Sequence, residues 1–91
     1  MTDALTELEQ RARSRHVWLR WPDGWEMMIW HAPYAGSDVI RVDNDGFGYL
    51  WRRVEEGHKV LGQRGGKDGA VPRSEALEFL QSRGLPQMEA Q

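Results

Sequence analysis

The sequence predicts an α+β domain in which an N-terminal and a C-terminal helix flank an antiparallel five-stranded β-meander, in the order α-β-β-β-β-β-α. Helical periodicity is confined to the two ends of the chain, alternating apolar and polar residues fill its middle, and three short turn signals divide that middle. Because short turns join antiparallel neighbours, consecutive strands are expected to pair. We expect one or both helices to pack on one face of the sheet.

The first predicted element is a helix over residues 3–15. Leu5, Leu8 and Ala12 recur at helical spacing, and no Gly or Pro interrupts them. Acidic residues precede basic residues along this segment, as the helix dipole favours. The apolar stripe is narrow, so the helix is expected to lie on the surface of a larger body, either the sheet of this domain or a partner.

Five strands are predicted after this helix. The turn signals that separate them are three-residue connections ending in Gly: Pro22-Asp23-Gly24, Asn44-Asp45-Gly46 and Glu55-Glu56-Gly57. This pattern is typical of a type I turn followed by a residue in the left-handed conformation. The β-prone segments around the turns predict strands at residues 16–21, 25–31, 39–43, 47–54 and 58–62.

The last third of the chain is predicted to contain a loop and the second helix. Residues 62–69 are half Gly, which favours a mobile loop. Ser74 is a suitable N-cap for the helix, and Gly84 followed by Pro86 indicates its end. Residues 1–86 are therefore expected to form one compact domain, and residues 87–91 a flexible C-terminal tail.

The composition narrows the class of protein. With 91 residues, 40% of them hydrophobic and 29% charged, the chain is typical of one small soluble globular domain. It has no Cys, which excludes disulfides, thiol nucleophiles and thiolate metal sites and predicts a cytoplasmic protein. No apolar run approaches the roughly 18 residues that a membrane span requires.

Catalytic, metal and cofactor motifs are weak in this sequence. His16, His31 and His58 are far apart and lack the i, i+4 spacing of helical metal ligands. The pair Gly66-Lys67 lacks the other residues of a phosphate-binding P-loop. The sequence therefore predicts a protein that is not an enzyme and that holds no metal and no cofactor.

The five Trp residues carry the strongest functional signal. Alternation places Trp21 and Trp25, which flank the first turn, together on the core side of the first hairpin, and Trp18 on the opposite side. Two short helices have too few apolar residues to cover both faces of a sheet, so an aromatic and Arg-bearing patch is expected to stay partly exposed. Its predicted members are Trp18, Arg20, Trp30, Tyr49, Trp51 and Arg53.

The patch predicts a non-enzymatic protein-binding module, because Trp, Tyr and Arg are enriched at the energetic centres of protein interfaces. By size and character, though by no motif, the chain is comparable to phage or mobile-element inhibitors that block a host protein complex, such as the anti-CRISPR proteins. Arg64 and Lys67 of the Gly-rich segment are predicted to add a flexible contact. The identity of the protein partner and the occurrence of a homodimer are left open.

The alternative function is that of a single-stranded nucleic-acid-binding protein. In that case the Trp residues would stack on bases, and Arg residues of the sheet face would contact the backbone. Against this alternative stands the net charge of -2, since affinity for nucleic acid comes largely from phosphate contacts with basic residues.

Overall fold

A computed structural model describes residues 3–31, 46–66, 71–85 and 89–90. The fold is α+β, with an antiparallel sheet and two helices, as predicted. Its elements in chain order are α1 (Ala4–Ala12), β1 (Val17–Arg20), β2 (Trp25–His31), β3 (Phe47–Glu55), β4 (Lys59–Gly65), α2 (Arg73–Arg83) and β5 (Glu89–Ala90). In this part of the chain, neither helix is long and apolar enough to cross a membrane.

The strands lie in the order β4-β3-β2-β1-β5, so β1 to β4 are consecutive antiparallel neighbours. β2 pairs directly with β3 over its whole length, from Trp25 opposite Arg53 to His31 opposite Phe47. The strand predicted at residues 39–43 falls outside the described residues. The predicted meander order placed that strand between these two and is corrected here, because the facing edges of β2 and β3 are already paired.

β4 is longer than predicted and includes part of the segment predicted to be a mobile loop. Gly65 has a φ of 83°, and a side chain there would collide with the backbone carbonyl of Tyr49. The N–H of Gly66 donates a hydrogen bond of 3.1 Å to that same carbonyl oxygen. The glycines therefore bring the end of β4 close to β3 instead of loosening the chain.

The ends of several elements differ from prediction: the first helix stops at Ala12 and not at residue 15, and the first strand is Val17–Arg20, shorter than residues 16–21. Asp3 caps α1 by accepting a 2.8 Å hydrogen bond from the Thr6 N–H, but α2 starts at Arg73 with Pro72, not Ser74, at the N-cap position. Pro needs no hydrogen bond to its nitrogen, which suits it to a helix start. Within the predicted tail, Glu89–Ala90 pairs with β1 and gives the sheet a short fifth strand.

Both helices pack on the same face of the sheet, which we call the covered face. α1 lies over β1 and β2, and α2 over β3. Leu5 and Leu8 of α1 and Ala76 and Leu80 of α2 are buried there. The strand residues that meet them are Val17, Leu19, Trp21, Met27, Ile29, Phe47, Tyr49 and Trp51.

The C-terminal half of α2 packs on the first hairpin and on β3 through aromatic contacts. Phe79 touches three Trp rings, those of Trp21, Trp25 and Trp51. The Arg83 guanidinium lies over Trp21 and Trp25 and donates a hydrogen bond to Asp23 in the turn between them. Three of the five Trp side chains therefore serve the packing of α2 on the sheet.

Candidate functional site

The other side of the sheet, which we call the open face, has no described helix packed on it. Strand register arranges its residues in rows that run across β1, β2 and β3. Arg20, Glu26 and Arg52 face each other in one row, the charged row. The next row, the apolar row, contains Trp18, Met28 and Leu50. Trp30 of β2 and Gly48 of β3 lie opposite each other in a third row, next to the apolar row.

Glu26 lies at the centre of the charged row, and only 6% of this residue is exposed. One oxygen of its carboxylate accepts a hydrogen bond of 2.7 Å from Arg20 Nε, and the other oxygen accepts one of 3.0 Å from Arg52 Nε. The cost of burying a carboxylate is thus offset by two charge-assisted hydrogen bonds. Among the described residues, the terminal Nη groups of Arg20 and Arg52 have no hydrogen-bond acceptor.

The apolar row is half-buried although no described helix covers it. The guanidinium of Arg52 lies 5.0 Å from the centre of the Trp18 ring, so the two rows are joined by a cation–π contact. The Trp30 ring occupies the space where a Gly48 side chain would otherwise stand. Only a residue without a Cβ at position 48 allows Trp30 to lie against the backbone of β3.

Three of the six predicted patch residues are on the open face: Trp18, Arg20 and Trp30. The prediction is corrected for Tyr49 and Trp51, which are only 2% and 7% exposed on the covered face. They face inward because they lie opposite Ile29 and Met27 of the core. Arg53 is exposed, but it shares their side of β3 and therefore lies away from the open face.

The two residues predicted to form a flexible contact have different outcomes. Arg64 belongs to β4, and its Nε and Nη2 atoms donate to the two carboxylate oxygens of Glu75 on α2, at 2.5 and 3.0 Å. These hydrogen bonds raise the pKa of Arg64. Arg64 thus joins the sheet to a helix instead of extending from a loop, and Lys67 lies outside the described residues.

Tyr49 has a structural role in a polar cluster beneath the covered face. Its hydroxyl donates a hydrogen bond to Glu9, and the same carboxylate accepts one of 3.0 Å from Arg73 Nε. Arg73 Nη2 also donates 2.9 Å to Asp3. Burial is the main cause that raises the pKa of Tyr49, and the hydrogen bond to Glu9 raises it further. The hydrogen bond from Arg73 lowers the pKa of Asp3 to about 2.

Four open-face residues were missed by the predicted patch: Glu26, Met28, Leu50 and Arg52. The sequence does contain one signal for two of them. The side of residues 47–54 that holds Phe47, Tyr49 and Trp51 is more apolar than the side that holds Leu50 and Arg52. The more apolar side is the better candidate for the core, which would have assigned Leu50 and Arg52 to the open face.

The arrangement on the open face offers apolar contact and hydrogen-bond donation. In the described ranges, no three His, Asp or Glu side chains converge as metal ligands would. Comparison with protein-family models, with curated proteins and with solved structures finds no match to this chain.

Proposed function

We propose that this chain is a non-enzymatic protein-binding module and that the open face is its binding surface. The observation that supports this proposal is the direct neighbourhood of the charged row and the apolar row on a face without a described helix. Trp, Met and Arg are enriched at the centres of protein interfaces, and Trp and Arg contribute most to binding energy there. The two rows place these residue types side by side.

The side chains of the two rows are also held in fixed positions, which favours binding. Strand pairing fixes the backbone beneath them, Glu26 fixes two Arg side chains, and Arg52 contacts Trp18. Side chains held in place before binding lose less conformational entropy when a partner arrives. The open face therefore combines apolar area with a small loss of conformational entropy on binding. This combination favours specific binding over non-specific hydrophobic contact.

Nucleic-acid binding is the second candidate, because Trp18 and Trp30 are half-buried aromatic rings on a sheet face that also holds Arg20 and Arg52. Two features make it the weaker one. Glu26 places a negative charge between the two Arg residues, and the guanidinium of Arg52 covers the Trp18 ring on which a base would stack. The chain as a whole carries a net charge of -2.

A narrower form of the proposal is that binding inhibits the partner. A domain of 91 residues with one organised face can act by occupying the working surface of a larger protein. Size and character alone support a role as a phage or mobile-element inhibitor of a host complex.

The test uses the full chain as bait in a lysate of the source organism, in four forms. These are wild type, Trp18→Ala, Trp30→Ala and the control Leu85→Ala, which removes an apolar side chain that is 56% exposed just after the C-cap of α2. We expect a protein that wild type and the control retain, that both Trp variants lose, and that binds again as a purified component. Circular dichroism of all four forms tests whether each variant keeps the fold of wild type.

Two outcomes would count against the proposal. A protein retained equally by all four forms would mean that the open face is not the binding surface. The nucleic-acid alternative would be favoured if wild type bound a single-stranded oligonucleotide and both Trp variants lost that affinity. In that case the wild-type affinity should also decrease steeply as salt rises from 50 to 200 mM.

A further inference from the structure

We infer that the open face recognises a protein segment that presents a carboxylate next to an apolar side chain. This inference rests on the proposed function and specifies the chemistry of the partner. The charged row supplies hydrogen-bond donors that could bind such a carboxylate. Each guanidinium has five N–H donors, and Glu26 occupies only the Nε–H of Arg20 and of Arg52.

The remaining donors have the geometry that a carboxylate needs. The two Nη groups at the end of a guanidinium can donate to both oxygens of one carboxylate, which is a planar, two-bond interaction. Glu26 holds Nε, and no other described residue accepts a hydrogen bond from either guanidinium, so the Nη end of each is the part available to a partner. The side chains of Arg20 and Arg52 are 61% and 32% exposed, so a partner can reach both.

The charge of the row selects for an anion. Counting the residues that the structure describes, two Arg side chains and one Glu leave one positive charge in excess at the centre of the open face. A single carboxylate compensates that excess, whereas a nucleic-acid backbone requires a longer series of cations spaced along it. The charge balance therefore favours an acidic protein segment over a phosphate chain.

The apolar row defines what lies next to the carboxylate. Arg20 and Trp18 are two residues apart on β1, and Glu26 and Met28 are two apart on β2. Alternate residues of a strand are separated by roughly 7 Å, so the rows lie about that far apart. An extended partner segment aligned with the strands would match both rows with an acidic residue and an apolar residue two positions apart.

The probe for this inference is a displayed library of random 12-residue peptides, selected on the immobilised full chain. We expect the selected peptides to be enriched in Asp or Glu two positions from an aromatic or aliphatic residue. Dissociation constants of synthetic copies are then measured by fluorescence anisotropy of a dye-labelled peptide. The protein forms compared are wild type, Arg20→Gln, Arg52→Gln and the matched control Arg53→Gln, which alters the neighbouring exposed Arg on the other side of β3.

Removal of either donor group should weaken binding about tenfold or more, the usual effect of losing hydrogen bonds to a charged group. The Arg53→Gln control should stay within about twofold of wild type. A peptide whose acidic residue is replaced by its amide should lose a similar factor on wild type. This last measurement leaves the protein unchanged, so it holds even where an Arg variant folds poorly.

The outcomes separate this inference from the proposed function. Peptides that lose binding in Trp18→Ala and Trp30→Ala but show no acidic enrichment would overturn the carboxylate inference and leave the binding face in place. Peptides that bind every open-face variant equally, or the absence of any binding peptide, would overturn both. Tighter binding of a single-stranded oligonucleotide than of any peptide, with loss in both Arg variants, would identify phosphate as the ligand and overturn the inference.

Discussion

In the described part of the chain, each face of the sheet buries one carboxylate, and the two carboxylates have different roles. Glu9 on the covered face and Glu26 on the open face are both 6% exposed. Glu9 is held by Tyr49 and Arg73, which are 40 and 64 residues away in the chain. Glu26 is held by Arg20 and Arg52 of the strands on either side of it. The first cluster joins helices to the sheet, whereas the second orders a surface.

The two clusters differ in how many N–H donors of each Arg remain unused within the described fold. Arg73 divides its guanidinium among Asp3, Thr6 and Glu9, so this cation is engaged within the fold. Arg20 and Arg52 each give Glu26 only their Nε–H. A buried carboxylate can therefore complete the fold or display cations, depending on whether its partners have other acceptors near them.

The largest expected effect contrasts two Trp residues on opposite faces. Trp51→Ala should cost about 3 to 5 kcal/mol of unfolding free energy, because it opens a cavity beneath Phe79. Trp30→Ala should cost about 1 kcal/mol, because this half-buried side chain faces away from the helices. Urea denaturation followed by circular dichroism measures both values. Equal losses would mean that the two faces do not differ in their contribution to stability.

The next largest effect is expected for Tyr49→Phe, which removes the hydroxyl that contacts Glu9 on the covered face. We expect a loss of about 2 kcal/mol at pH 7, since the hydroxyl donates to a charged group. Wild-type stability should decrease above pH 10, where the phenol ionises in the unfolded chain but stays protonated in the fold because its folded pKa is raised. The variant should lack this part of the alkaline decrease, which denaturation at pH 8 to 11 measures.

A smaller change is expected for Glu26→Gln, which disrupts the charged row. The free energy of unfolding should decrease by about 1 kcal/mol, because the two Arg side chains retain access to water when the carboxylate is lost. Binding of a selected acidic peptide should weaken although the surface becomes more positive. Tighter binding would show that net charge, and not the fixed orientation of the guanidiniums, determines affinity.

The smallest effect is expected for Asp3→Asn, which keeps an N-cap for α1 but removes the charge beside Arg73. The loss at pH 7 should be about 0.5 to 1 kcal/mol, given the partial exposure of this pair. Because the folded pKa of Asp3 is lowered to about 2, its contribution is present above pH 4 and decreases as the pH falls toward 2. Stability curves of variant and wild type should therefore converge near pH 2.

Much of the fold could be predicted from local patterns. The limits of β2 agree with the structure, because the Gly24 turn and the alternation of residues 25–31 specify them. The first hairpin places Trp21 on the core side, as its turn chemistry indicates. The extension of β4 to Gly65 could not be predicted, because the reason for that glycine is the carbonyl of Tyr49, distant in sequence.

The candidate site could be predicted only in part, for a reason of register. Alternation correctly grouped Trp18 with Trp30, and Tyr49 with Trp51, but it does not say which side of β3 continues which side of β2. That choice depends on the pairing of His31 with Phe47, and a shift by one residue would exchange the two sides. The predicted patch therefore combined residues from both faces.

The distribution of the Trp residues also gives the protein two built-in optical reporters. Trp21 and Trp51 are enclosed by α2 and the sheet, so their emission should be blue-shifted and should change when the chain unfolds. Trp18 and Trp30 remain half in water, so their emission lies at longer wavelength and is open to a soluble quencher. A partner that dries the open face would shield the second pair alone. Unfolding and recognition thus have separate spectral signatures in one unlabelled sample.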